Sequence, residues 1–206
     1  MKKQLVLALA LAAAPFAASA QQALNYNFVE LGAVRTDIDV SVDGLGSASA
    51  DFDGAQLRGS VQVADPVYLF GGYAKTRNDD AGFDVDINEL QLGVGFRAPV
   101  GESADFIAEV GLLRQEIELE GESEHAAGGR ISAGFRGRSG ELLEGWIKAS
   151  YSDGGDLDGA FSALLGAQIS FNRTWGVIGE IESGEIGGDG VEVDATKYLL
   201  GLRASF

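Results

Sequence analysis

Beyond residue 21 the chain alternates with a period of two. In the last segment Tyr198, Leu200, Leu202, Ala204 and Phe206 stand on one side, and Lys197, Leu199, Gly201, Arg203 and Ser205 on the other. A period of two puts successive side chains on opposite faces of an extended strand, whereas an amphipathic helix repeats every 3.6 residues. The same contrast runs through 56–63, 89–98, 129–136 and 143–151, where Leu, Val, Ile, Phe and Ala alternate with Gly, Ser, Gln and isolated charges. The 30 glycines and 3 prolines suit strands joined by tight turns.

The pattern predicts ten strands, at roughly 26–39, 54–63, 67–77, 85–98, 105–118, 126–136, 142–151, 160–171, 174–183 and 193–206. Parity is weaker in the first, third, fifth and ninth, and a bulge at Leu112-Leu113 would account for the fifth. Short turns at 64–66, 99–104, 137–141 and 172–173 alternate with polar loops at 40–53, 78–84, 119–125, 152–159 and 184–192. An even number of strands, short turns at one end and loops at the other describe a closed, antiparallel, up-and-down transmembrane β-barrel. Ten strands is the reading, and eight is the alternative count.

A soluble β-sandwich also has one apolar face per strand. The polar face separates the two cases. Here it carries small residues and charges of both signs, as a narrow lumen requires. Aromatic residues also collect at one strand end: Tyr26, Phe28, Phe96, Phe106, Phe135, Phe171, Trp175 and Phe206. That places them in a girdle at the periplasmic membrane boundary. Tyr73, Tyr151 and Phe161 form a thinner set at the other boundary.

Residues 1–20 stand apart. Lys2 and Lys3 precede an apolar run from Leu5 to Ala14, followed by Pro15 and Ala18-Ser19-Ala20. This is the layout of a secretory signal peptide cleaved between Ala20 and Gln21. The run is shorter than the ~20 apolar residues of a spanning helix. Residues 21–206 then form the barrel. Of 15 basic residues, Lys2 and Lys3 leave with the leader, so 13 face 31 acidic ones, a net charge of −18. Such a chain repels nucleic acid and favours cationic partners.

The leader's end Pro15-Phe16-Ala17-Ala18-Ser19-Ala20, the opening Asn25-Tyr26-Asn27-Phe28-Val29 and the close from Tyr198 to Phe206 resemble small outer-membrane barrels of the OmpA, OmpX and opacity-protein type. More narrowly they are similar to a family of short barrels described as plant-immunity activators and quorum factors. The resemblance implies an outer-membrane location in lipid and lipopolysaccharide. It also implies that Tyr198, Leu200, Leu202 and the terminal Phe206 form the signal read by the outer-membrane assembly machinery.

Within the barrel, Glu30, Glu89, Glu109, Glu144 and Glu180 are expected to face Arg58, Arg97, Arg130, Arg136, Lys148, Lys197 and Arg203. Unpaired charge in a crowded lumen is costly, so these should pair into a plug. The segments 37–53, 78–86, 116–124, 152–158 and 182–194 hold 22 of the 31 acids and no Lys or Arg. Clustered carboxylates suit weak Ca²⁺ or Mg²⁺ binding, shared with lipopolysaccharide. Asp153, Asp156 and Asp158 have the spacing of a loose calcium loop without its closing Glu. No other cofactor is expected.

Barrel enzymes of the outer membrane place His with Asp, Ser or Glu at the outer rim. The single histidine, His125, lies beside Ser123 and Glu124 without matched partners on other strands. The expected function is therefore non-enzymatic: a structural, adhesive or envelope-interaction role carried by acidic surface loops, with a cationic or host-surface ligand. A small gated pore for ions or small solutes is the first alternative. A lipid-modifying or proteolytic barrel enzyme is the second.

Overall fold

The computed structural model describes residues 24–42, 44, 46–78, 85–119, 122–188 and 191–206. The leader, with its cleavage point at Ala20 and Gln21, lies outside these residues. The chain forms ten strands: β1 (Phe28–Val42), β2 (Gly46–Ala64), β3 (Val67–Asn78), β4 (Val85–Pro99), β5 (Ala104–Leu119), β6 (Glu122–Ser139), β7 (Leu143–Gly154), β8 (Leu157–Ser170), β9 (Trp175–Gly188) and β10 (Val191–Ser205). Each pairs antiparallel with its neighbours in sequence, and β1 pairs with β10 to close the barrel. Through the apolar section closure pairs each strand on both sides and leaves no edge, the condition for a sheet to stand in lipid; beyond it, 46–52 of β2 pair only with β1 and 122–128 of β6 only with β5.

Polarity along the strands is inside out relative to a soluble protein. Leu31, Leu92, Leu112, Ile131, Leu200 and Phe206 are among many large apolar side chains exposed on the outer wall. Inward positions on the same strands hold Glu30, Arg136, Glu144, Gln168 and Arg203, all buried. The outward band is what an acyl chain solvates, and the inward groups must satisfy one another.

Three sequence expectations need correction. First, most of the acidic segments read as loops are strand. Residues 46–53 belong to β2, β6 begins at 122, and β9 runs to 188. Acidic composition concealed an alternation that continues unbroken. Second, the pairing of β5 with both neighbours passes regularly through Leu112 and Leu113. The register shifts lie instead at Gln62/Ala64 and Ser152/Gly154. Leu113 needs no bulge because it points into the barrel and is buried there. Third, Tyr26 and Phe28 do not belong to the lipid-facing girdle. Tyr26 is buried, and Arg136 lies over both rings from inside the barrel. Phe96, Phe135, Phe171, Trp175 and Phe206 are exposed on the outer wall, with Phe106 packed edge-on against Phe135.

Strand length explains the first correction. A tilted membrane strand needs ~9–11 residues, yet β2 has 19 and β6 has 18. The excess lies at the end away from the chain termini, and there the two faces exchange character. Along β1, Leu31 and Ala33 face lipid, and the same face continues as Arg35, Asp37 and Asp39; the inner face passes from Glu30 to Val34, Ile38 and Val40. In β5 the outer face continues as Glu116 and Glu118 while Gln115 and Ile117 face inward. In β10 the outer face reaches Asp194, and Ala195 and Val193 face inward. Above the apolar band the strands therefore extend as a water-exposed rim, acidic on its outer face and carrying Ile38, Ile117 and Val193 on its inner one.

Candidate functional site

The inward side chains form stacked layers. In the layer nearest the termini, Glu30 accepts from Arg58 Nε at 2.8 Å and pairs with Arg203. Arg58 Nη1 donates to Glu180 at 2.7 Å, and Trp146 Nε1 donates to the other oxygen of Glu180 at 2.7 Å. Glu144 accepts from Arg136 Nε at 2.7 Å and from Arg203 at 3.2 Å, with Arg138 at 3.4 Å. The Arg203 guanidinium also lies between Phe28 and Trp146, 4.3 and 4.7 Å from their ring centres. Beside this layer Lys148 donates to Glu109 at 3.0 Å, and Tyr68 donates to the same carboxylate at 2.9 Å. Arg97 bridges Asp65 and Asp105.

A second layer lies nearer the outer mouth. Lys197 donates to Glu89 at 3.0 Å, and Gln115 reaches the same carboxylate. Arg130 pairs with Glu182, which also accepts from Ser162 at 2.8 Å. Between and within these layers, two voids of about 100 and 50 Å³ remain. With a water's share of liquid near ~30 Å³, they have room for a few waters.

Residues 24–27 close the end nearest the termini. Leu24 and Tyr26 are buried against Tyr68, Ile107 and Phe70. The Tyr26 hydroxyl donates to Asp105 at 2.9 Å. Burial, reinforced by Asp105 and opposed by Arg136, holds this phenol well above its ordinary pKa, so it remains a donor. Arg136 Nη2 donates to the Asn25 carbonyl, and Asn27 binds the backbone of Gln62 through its side chain. Asn25 and Asn27 also bind the backbone of Phe206, so this seal is tied to the last residue of the closing strand.

Glycines make room for these inward rings. A Cβ on Gly95 would lie 2.1 Å from the Tyr68 ring, and one on Gly166 would lie 2.2 Å from the Trp146 indole. Gly93 and Gly95 are thus seats for Phe70 and Tyr68.

Every charged residue assigned to the lumen from sequence is brought into these networks. Sequence reasoning missed Asp105, Arg138 and Glu182. Glu182 was grouped with the rim acids, although it shares parity with Glu180 and so faces inward. It also missed the inward rings of Tyr26 and Tyr68, while the alternation of 143–151 already set Trp146 on the face of Glu144 and Lys148. The signal lay in parity: each shares a face with glycine-rich inward positions.

At the outer end, the bases Arg35, Lys75, Arg77 and Arg114 stand on the lipid-facing side just below the rim. They pair with Asp37, Asp51, Asp86 and Glu116. Rim acidity is therefore partly answered from beneath. Asp153 accepts from Tyr151 and from the Gly154 backbone, and Asp156 lies beyond it in the β7–β8 turn. The side chain of Asp158 lies outside the described residues. Among the described residues, no three His, Cys, Asp or Glu side chains are gathered as a metal site. Ser123, Glu124 and His125 are exposed at the outer end of β6. Alternation puts Ser123 and His125 on one face and Glu124 on the other. Tyr198, Leu200, Leu202 and Phe206 face outward on β10, the strand that closes the barrel.

A closed, inside-out barrel with an apolar belt and a charged, filled lumen defines an integral protein of the outer membrane. Residues 5–206 match the family described as the outer membrane protein beta-barrel domain, and the chain belongs to that family. No curated protein sequence matches it. Among solved structures it is similar to the outer membrane protease OmpT from Escherichia coli, at 12% identity and a TM-score of 0.53, covering 91% of this chain and 100% of that one. It is similar to the translocator domain of the autotransporter NalP from Neisseria meningitidis, at 12% identity and a TM-score of 0.52, covering 100% and 95%. Neisserial surface protein A follows at 14% identity, a TM-score of 0.45, and coverage of 86% and 97%. At these identities the likeness to the protease and the translocator concerns the fold.

Proposed function

We propose that this protein is a sealed, non-enzymatic outer-membrane barrel whose role is carried by its acidic, water-exposed outer end, in envelope interaction or adhesion. The observation that carries the reading is the filled lumen. Two layers of paired charge span it, and Leu24 and Tyr26 stopper the end near the termini. Moving an ion through would mean breaking several buried pairs in a low-dielectric space. The protease reading fares worse still. Glu124 points away from the face shared by Ser123 and His125, so the trio cannot act as a relay.

Planar-bilayer recording tests the seal. The intact protein should give no steady conductance, while Leu24→Ala with Tyr26→Ala should give small, flickering openings. Steady porin-sized conductance of the intact protein would overturn the reading in favour of a pore. Any proteolytic or lipid-modifying activity lost in His125→Ala would overturn its non-enzymatic part.

A further inference from the structure

Above the Glu89–Lys197 and Arg130–Glu182 layer the barrel holds a cavity of about 450 Å³, a volume within the ~300–1,000 Å³ range of small-molecule sites. Its walls include Ile38, Ile87, Leu113, Ile117, Leu157 and Val193, with Thr36, Thr76, Gln115 and Ser152 set among them. Ile38, Ile87, Ile117 and Val193 occupy the inward parity of strands whose outward parity at the same height carries Asp37 and Asp39, Asp86, Glu116 and Glu118, and Asp194. The arrangement is that of a soluble ligand-binding barrel mounted on a membrane one. An apolar cup of this size in water is unfavourable unless something fills it.

The charge pattern identifies the filler. Each charge in the floor is already paired, so the floor offers no free partner to a charged head group. The free charge lies at the mouth. Asp156 lines it and meets no base among the described residues, and Glu185, paired in register with Asp194, stands on the outer face beside it. Asp39 and Asp194 add to the acidic outer wall. Anionic amphiphiles are repelled on approach and cationic ones attracted.

We propose that this cup binds small cationic amphiphiles, the apolar body between β1, β4, β5 and β10 and the positive group at the Asp156 carboxylate, under the field of the acidic outer wall. This rests on the sealed-lumen reading, since the charged layer serves as the floor.

The test uses the whole protein in phosphatidylcholine nanodiscs, with empty nanodiscs as the blank. Octyltrimethylammonium, octanol and octanoate are titrated by calorimetry. Saturable, one-to-one binding of octyltrimethylammonium beyond the blank is expected, about tenfold or more tighter than octanoate. Ala195→Trp on β10 and, separately, Ala160→Trp on β8 fill the cup from two different strands. Each should abolish binding while the heat-dependent gel shift shows the barrel folded. Asp156→Asn should bring octyltrimethylammonium binding down towards the level of octanol and leave octanol unchanged. Three results would each overturn the proposal: no binding beyond the blank, binding undiminished in a folded cup-filling variant, or octanoate binding as well as the cation. Conductance is measured on the same preparations. A conducting protein that still binds would sink only the sealed-lumen reading, and a silent one that does not bind would sink only the cup.

Discussion

Glu30 is 2% exposed and holds two arginines from strands on either side of it, Arg58 on β2 and Arg203 on β10. Its removal leaves Arg58 to Glu180 and Arg203 to Glu144, each with hydrogen bonds unmet in a closed space. Breaking a buried pair by deleting one partner costs about 3–5 kcal/mol, far more than an exposed pair contributes. Glu30→Ala should therefore lower the urea midpoint of the detergent-solubilised barrel markedly. Asp37→Ala, at the half-exposed Arg35 pair, should leave it nearly unchanged. Equal midpoints in the two variants would mean that the lumen charges fill space without stabilising it. Gly166 belongs to the same logic from the steric side, since any side chain there displaces the Trp146 indole that donates to Glu180.

The strands carry two kinds of surface along one length. Away from the shifts at Gln62/Ala64 and Ser152/Gly154 the inner and outer parities hold, but the solvent on each side changes. In the membrane section the outer face meets lipid and the inner face meets charge. Beyond it the outer face meets water and the inner face encloses an apolar cup. Arg35, Lys75, Arg77 and Arg114, with Tyr73, Tyr151 and Tyr198, mark the level of the change. Basic and aromatic side chains concentrate at such boundaries because they have an apolar stem and a polar tip. Cysteine substitutions locate the boundary directly. Asp39→Cys and Glu118→Cys on intact cells should react with a membrane-impermeant maleimide, and Leu31→Cys and Val110→Cys should not. Protection of the first pair would place these segments inside the membrane and remove the extension.

Closure of β1 on β10 joins residues near the two ends of the described chain into one wall, and the Asn25 and Asn27 contacts to Phe206 fasten the seal to that seam. The molecule is therefore cooperative: unfastening the seam exposes strand edges and the charged lumen to lipid together. Purified protein should show strand-dominated circular dichroism. It should also run at different positions on a gel when boiled and unboiled, because the closed barrel resists detergent until heated. A protein that stays monomeric and soluble without detergent would contradict the membrane assignment at its root.

The alternation in Tyr198 to Phe206, and in the segments like it, was enough to read the strand count, the closed antiparallel barrel and most of the inward charges. Parity is a local property, fixed by the two-residue repeat of an extended backbone whatever the strand is paired with. The limits of that reading are equally physical. Which charge meets which depends on the registers of strands far apart in sequence: Arg203 reaches Glu30 across 173 residues and Arg58 reaches Glu180 across 122. The inward turn of Tyr26 depends on a mouth that exists only once ten strands have closed. The exchange of faces in β1, β5 and β10 depends on where the membrane ends along the assembled barrel. Alternation fixes which side chains share a face; the closed barrel fixes what that face encloses and which solvent lies beyond it.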